Sequence, residues 1–247
     1  MTPTISVAVA IAALATDVFG QIAYIDFATS HSDQLVLRTL EHIEIIAIAI
    51  ALAVPIGVGL GFLITFDKRL ATVVIWLAGI MMTIPSLALF GLLIPYFGIG
   101  APSVIVALVL YSQLPVVRNT YVGLNDVDPA ALEAGRAMGM TKLQLLVKVQ
   151  LPSALPVIMA GVRNAVVILI GIAAIGAFIG AGGLGQFLYD GVGWNNQEML
   201  VVSTLVLAAL ALVVDYAFGV SEQLFRLNNG EQIEPSAATK LFQRVIA

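Results

Sequence analysis

The residues able to do chemistry are few, and their spacing removes most chemistries at once. None of Lys68, Lys142, Lys148 or Lys240 follows a glycine, so the phosphate-cradling G-x-x-x-x-G-K-[ST] loop is missing and ATP cannot be bound in that way. Gly180, Gly182 and Gly185 do fit G-x-G-x-x-G, but that fingerprint needs a strand before it and a helix after it. Here it closes an apolar run, and a tight glycine turn is the better account. His31 and His42 are the two histidines; His42, between Glu41 and Glu44, lacks metal-ligand spacing and reads as an interfacial polar residue. No G-x-S-x-G or H-E-x-x-H pattern occurs, and the absence of cysteine excludes disulfides and thiolate ligands. Neither a catalytic residue, nor a metal site, nor a cofactor held by this chain is expected. Arg163 and Asp215 interrupt apolar runs. Charge in a bilayer is costly and needs a partner or a role; pairing or snorkelling toward the surface suits both.

The elements that must position these residues are membrane spans. Of 247 residues, 60% are hydrophobic and 11% charged, with a mean hydropathy of +1.02, whereas soluble domains carry about 25% charged residues. At about 20 residues per span, the length allows five or six helices and no soluble catalytic domain. The net charge of −4, without a basic tract, gives no reason to expect nucleic acid. Apolar runs cover 41–64, 72–97, 101–122, 155–180 and 199–221, and a shorter one, 5–25, is interrupted by Asp17. Lys68 and Arg69, then Arg136, Lys142 and Lys148, then Arg226, Lys240 and Arg244 mark three basic segments, while 98–100 and 181–198 contain no lysine or arginine. The positive-inside rule puts the basic segments in the cytoplasm and the other two outside. Five alternating spans and a cytoplasmic C-terminus result. No lysine or arginine precedes 5–25, which argues against a signal peptide; it is either a sixth span or a segment at the outer surface. Gly57 with Gly61, and Gly176 with Gly180, let helix backbones approach closely.

The segment 123–154 is long, mixed in polarity and well punctuated. Asp128-Pro129 predicts an N-cap followed by proline at the first helical position. That helix runs through Glu133 to a stop at Gly139. Thr141 with Gln144 predicts a capping box for a second helix, which is expected to close at Leu151-Pro152. Two pre-organised cytoplasmic helices suggest a surface meant to touch something.

Glu133-Ala134-Gly135, then Gly139, then Val149-Gln150-Leu151-Pro152 resembles the EAA loop of binding-protein-dependent ABC permeases. The spacing matches throughout, with Gly135 in place of an alanine and Val149 in place of an isoleucine. Thr83-Ile84-Pro85-Ser86, Leu114-Pro115-Val116-Val117-Arg118-Asn119-Thr120-Tyr121 and Gly180-Ala181-Gly182-Gly183-Leu184-Gly185 are similar to segments of its osmoprotectant subgroup, which carries glycine betaine, carnitine and choline. The resemblance implies an all-α, MetI-like type I permease over 35–225, preceded by the apolar segment 1–34 and followed by a cytoplasmic tail, 226–247. It implies two separate ATPase subunits holding ATP and Mg²⁺, a second permease subunit, identical or homologous, and an external binding protein. By resemblance, Asp128, Glu133, Ala134, Gly135, Gly139, Met140, Thr141, Leu151 and Pro152 form the ATPase-coupling element. Gly182, Gly183, Gly185 and Trp194 are expected on the face that docks the binding protein.

Pro85 beside Ser86 in the middle of a run predicts a kink. Freed carbonyls are tolerated in lipid only when buried or facing a water-filled cavity. Thr83, Pro85, Ser86, Gln113 and Asn119 are therefore candidates for the translocation path or its gate, with a purely structural kink as the alternative. A permease for an amino acid such as methionine, or a stand-alone secondary transporter, remains open. The latter would need an internal ion relay, for which Asp215 alone is thin.

Overall fold

The computed structural model describes residues 23–228 and residue 239, which are helical with short connections and no strand among them. The N-terminal segment 5–25 lies almost wholly outside these residues. After a helical stretch over 23–30, α1 (Ser32–Ile64) is a span of 33 residues. Asp67 caps α2 (Lys68–Thr83), its carboxylate accepting from the amides of Arg69 (2.7 Å) and Leu70 (3.3 Å). α3 (Ser86–Phe97) stops at Gly98, whose φ of +84° suits glycine. α4 (Ala101–Asn125) follows, then the short helices α5 (Pro129–Ala137) and α6 (Lys142–Leu145). A π-helical turn, Leu146–Gln150, leads into α7 (Leu151–Ile175) and a 3₁₀ turn, Gly176–Ile179. α8 (Gly185–Gly193) and α9 (Gln197–Asn228) complete the described chain.

Among the described residues four helices are long and apolar enough to span a bilayer, and five spans result if the bent pair α2–α3 counts as one. The expected kink at Pro85 is a full break. α2 and α3 meet at 101°, and Ile84 and Pro85 are both extended, with ψ of 128° and 131°. At 1.5 Å per residue α2 alone reaches only about 24 Å, short of a bilayer core of about 30 Å.

The sorting of charge holds in three dimensions. One groove is lined by Thr65 and Phe66 of the first basic turn together with Arg136 and Lys142 of the second, so both basic segments share one end of the bundle. At the other end the α3–α4 turn meets the turn after α7: a Cβ at Gly100 would lie 3.3 Å from the Gly180 carbonyl.

α4 is the central helix, packed against α1 and α7, with Val104, Ala107, Leu108 and Val116 in the core. Small residues set its approach. A Cβ at Gly57 would come 2.6 Å from Val116 Cγ1, one at Gly61 2.5 Å from Thr120 Cβ, and one at Gly161 2.5 Å from Asn119 Cβ. Of the second glycine pair, Gly176 packs on Val104 while Gly180 takes a left-handed turn (φ +77°), its Cβ position 3.8 Å from Ile99 Cγ2. Gly61→Leu should therefore destabilise the bundle by about 1–3 kcal/mol or more through overpacking. A lowered melting temperature of the purified permease checks this; an unchanged one would refute the close crossing.

Two sequence expectations need correction here. His42 is fully buried, its Nε2 donating to the Ile170 carbonyl (3.1 Å): it packs between α1 and α7 and is not interfacial. The second loop helix also does not close at Leu151-Pro152. The Leu151 amide bonds to the Leu146 carbonyl five residues back, and this wider turn accommodates the proline ring and its missing donor, so the chain runs on into α7 as one rod over Lys142–Ile179.

Candidate functional site

The loop between α4 and α7 forms the built surface at the basic end. Asp128 caps α5, its carboxylate accepting from the Ala130 amide (2.9 Å). At the other end the Met140 amide bonds to the Gly135 carbonyl (3.1 Å) and the Gly139 amide to the Arg136 carbonyl (2.9 Å). With Gly139 at φ +76° this is a complete Schellman cap. The Thr141–Gln144 capping box is present in both directions (2.9 and 3.3 Å). Gly135, the departure from the family pattern, is the buried residue of α5, and an added Cβ would lie 2.5 Å from Leu145 Cδ1. The glycine thus lets α5 close onto α6. Gln150 donates to the Leu124 carbonyl (2.7 Å) and ties the rod to the end of α4. Outward, Glu133, Ala134, Thr141 and Leu143 are exposed, and Met138 is 70% exposed. An apolar methionine on a rigid, capped tip is suited to insertion into a partner's groove.

A second feature is an open cleft along the bundle. A cleft of ≈ 420 Å³ runs from Met82 beside the break, past Leu114, Pro115, Arg118, Asn119 and Val122 of α4, to Asn164 and Ile168 of α7. Asn119 borders this cleft, and its Nδ2 donates to the Pro115 carbonyl (2.7 Å). Thr83 and Pro85 are exposed at the break, and Ser86 is half-buried. The Tyr111 hydroxyl donates to the Ile84 carbonyl (2.7 Å) and the Thr83 hydroxyl to that of Ile80 (2.7 Å), so two of the carbonyls at the break are satisfied within the protein.

Other candidates fall elsewhere. Gln113 does not line the cleft: it is buried at the α1–α4 contact, donating to the Val109 carbonyl (2.8 Å). At the outer end Gly183 and Gly185 are buried, and their expected surface role gives way to packing. The Gly183 amide donates to Glu41 (3.1 Å), which also pairs with Arg38 (2.8 Å), and Gly185 rests on the Ala174 backbone. Gly182 sits against the Glu41 carboxylate. Trp194 is 70% exposed. The G-x-G-x-x-G run follows a 3₁₀ turn, with positive φ at Gly180, Gly182 and Gly183, and has no strand beside it among the described residues.

Arg163 and Asp215, the two charges expected to need a partner, pair with each other. Arg163 makes a two-pronged contact with Asp215 (2.6 and 2.7 Å) and approaches Glu222 (3.6 Å), which holds Arg226 (2.9 Å). Such an acid, neutralised by a guanidinium fork, makes a poor proton relay. Sequence reasoning left Arg118, Asn164 and Tyr111 out. Arg118 had a visible signal, a charge within the run 101–122; the roles of Asn164 and Tyr111 depend on partners from other helices.

Residues 53–227 match the family described as the binding-protein-dependent transport system inner membrane component. The chain belongs to that family. It is a multi-pass protein of the cell membrane, a permease subunit of the ABC transporter class. It is 46% identical over 197 residues to the osmoprotectant import permease protein OsmW of Salmonella typhimurium, covering 78% of this chain and 92% of that one. It is 38% identical over 197 residues to the glycine betaine/carnitine/choline transport system permease protein OpuCB of Bacillus subtilis, covering 80% and 91%. Among solved structures, the permease fold resembles inward-facing conformations of the MetNI methionine ABC transporter (TM-score 0.68, 25% identity, 77% of this chain and 95% of that one).

Proposed function

We propose that this chain is the membrane subunit of an ATP-driven importer of quaternary-amine osmoprotectants such as glycine betaine, carnitine and choline. The observation that carries the substrate class is the identity, over some four-fifths of the chain, to one permease named for osmoprotectant import and another named for glycine betaine, carnitine and choline. The methionine alternative has only fold likeness behind it. The paired state of Asp215 speaks against a stand-alone secondary transporter.

In this reading two ATPase subunits, which hold ATP and Mg²⁺, dock on the capped tip around Glu133–Thr141, and a second permease subunit closes the open side of the cleft. An external binding protein docks at the opposite end, on surfaces that include Trp194. This chain holds no cofactor of its own. The dry, dipole-rich environment needed for hydrolysis lies in the other subunits, and this chain converts their movement into opening of the path.

Cells lacking other uptake routes, supplied with the complete transporter, should accumulate labelled glycine betaine, carnitine or choline under high salt. If the partner binding protein instead retains methionine or another amino acid and none of the amines, the osmoprotectant assignment fails while the permease assignment stands.

A further inference from the structure

Arg118 is a charge within a span that has no counter-ion among the described residues. It lies on α4 about 10 Å before the helix ends at Asn125, at 1.5 Å per residue. Among the described residues no carboxylate reaches it, whereas Arg163 has Asp215 and Arg38 has Glu41. An arginine at this depth faces lipid only at high cost, so it belongs to a wet, interior surface. Arg118 is exposed into the ≈ 420 Å³ cleft, a size within the range of about 300–1,000 Å³ usual for small-molecule sites. Beside it, Asn119 gives one amide hydrogen to the Pro115 carbonyl. Across the cleft Asn164 is exposed on α7. Met82 of α2 and Ile168, one turn from Asn164 on α7, add apolar surface to the lining.

We infer that Arg118, with Asn164, forms a subsite for the carboxylate of the solute as it crosses the inner half of the path. The inference rests on the proposed importer function and adds a specificity determinant to it. A guanidinium presents two parallel donors that match a carboxylate, and the Asn164 amide supplies a third. The methylated ammonium of glycine betaine or carnitine then lies toward that apolar surface. Choline has no carboxylate and is a cation, so Arg118 repels it. Arg118 therefore favours zwitterions over cations, a discrimination that would act after any choice made by the binding protein.

The test uses the full transporter in proteoliposomes, with its ATPase and binding protein. Arg118→Gln should lower glycine betaine uptake about tenfold or more, the scale of a lost charge-assisted contact, while choline uptake stays level or rises. Arg118→Lys keeps the charge without the fork and should fall between. Equal losses on both solutes would reveal a structural role and overturn the inference, as would no change on either. Wild-type uptake is read first. If it takes up no quaternary amine, the substrate class fails on that control alone, and methionine against methioninol, which lacks the carboxylate, repeats the Arg118 comparison. Arg118→Cys in this cysteine-free chain gives an independent reading. A water-soluble thiol reagent should modify it, and modification should slow with glycine betaine present, or with methionine if that is the solute carried. Inertness in every nucleotide state would overturn the subsite.

Discussion

Gly139→Val should abolish ATP-driven uptake while leaving the permease inserted and assembled in the membrane. Gly139 sits at φ +76° and closes the Schellman cap of α5. An ordinary L residue pays roughly 1–2 kcal/mol there, and a β-branched one is a steric outlier. No neighbour lies within 4 Å of the Cβ position, so the cost comes from the backbone and not from a clash. A nine-residue helix held mainly by its contact with α6 at Gly135 has little to absorb that cost; the tip unwinds or tilts, and the Met138–Thr141 surface is lost. Stimulated ATP hydrolysis of the purified complex should fall by about tenfold or more, one decade for each 1.4 kcal/mol of lost contact. Gly139→Asn provides the control, since asparagine tolerates the left-handed conformation and should retain most activity. Glu133→Arg, on the exposed face, should fail at the contact itself with the cap intact. Wild-type uptake and stimulated hydrolysis in Gly139→Val would sink the assignment of this loop as the coupling element.

The effect should be large because the tip is rigidly joined to the helices that line the cleft. The capping box starts a rod that continues through the π turn into α7 without interruption. Gln150 fastens the same rod to the last turn of α4, and Gly123 lets α7 approach α4 with its Cβ position 3.0 Å from Val157. Packed cores shift as units and do not deform continuously. A displacement of the tip is therefore carried to Arg118 and Asn119 on one side of the cleft and Asn164 on the other.

What could be read from the sequence follows from the range of the signals. The cap at Asp128, the stop at Gly139 and the Thr141–Gln144 box are local: each depends on residues within four positions, so the order of neighbouring residues placed them. The charge sorting of the loops is equally robust, because it reflects solvent and not packing partners. The facing of polar residues along a span is different. Gln113 and Asn119 look alike in sequence, yet one is buried against α1 and the other borders the cleft, a choice made by the glycines of neighbouring helices. His42 and Gly183 were legible only as outer-end residues; their mutual packing joins α1 to the turn after α7. Pro152 announces a helix end, but a π turn satisfies its constraint at less cost than stopping.

The largest effect inside the membrane should come from removing both restraints on the α2–α3 break. Pro85 supplies no amide and biases Ile84 toward extended backbone; the Tyr111 hydroxyl then holds the Ile84 carbonyl at 2.7 Å. Pro85→Ala alone restores a donor, but Tyr111 still fixes the bent arrangement, so transport should drop only in part. Tyr111→Phe alone leaves a carbonyl unpaired within the bundle, at a cost of about 1–3 kcal/mol, with Pro85 still forbidding a continuous helix. Together the two changes make a straight helix available through 68–97, and the loss should exceed the sum of the single effects, since both act on one element. Assembly with the ATPase subunits should persist, in contrast to the Gly139→Val pattern. Ser86→Cys in the otherwise wild-type, cysteine-free chain reports on the break directly: its reaction with a water-soluble thiol reagent should change rate when ATP and loaded binding protein are added. In the double variant that difference should vanish. If the double variant transports normally, or if Ser86→Cys is inert in every state, the break is a packing feature of the bundle and the path opens elsewhere.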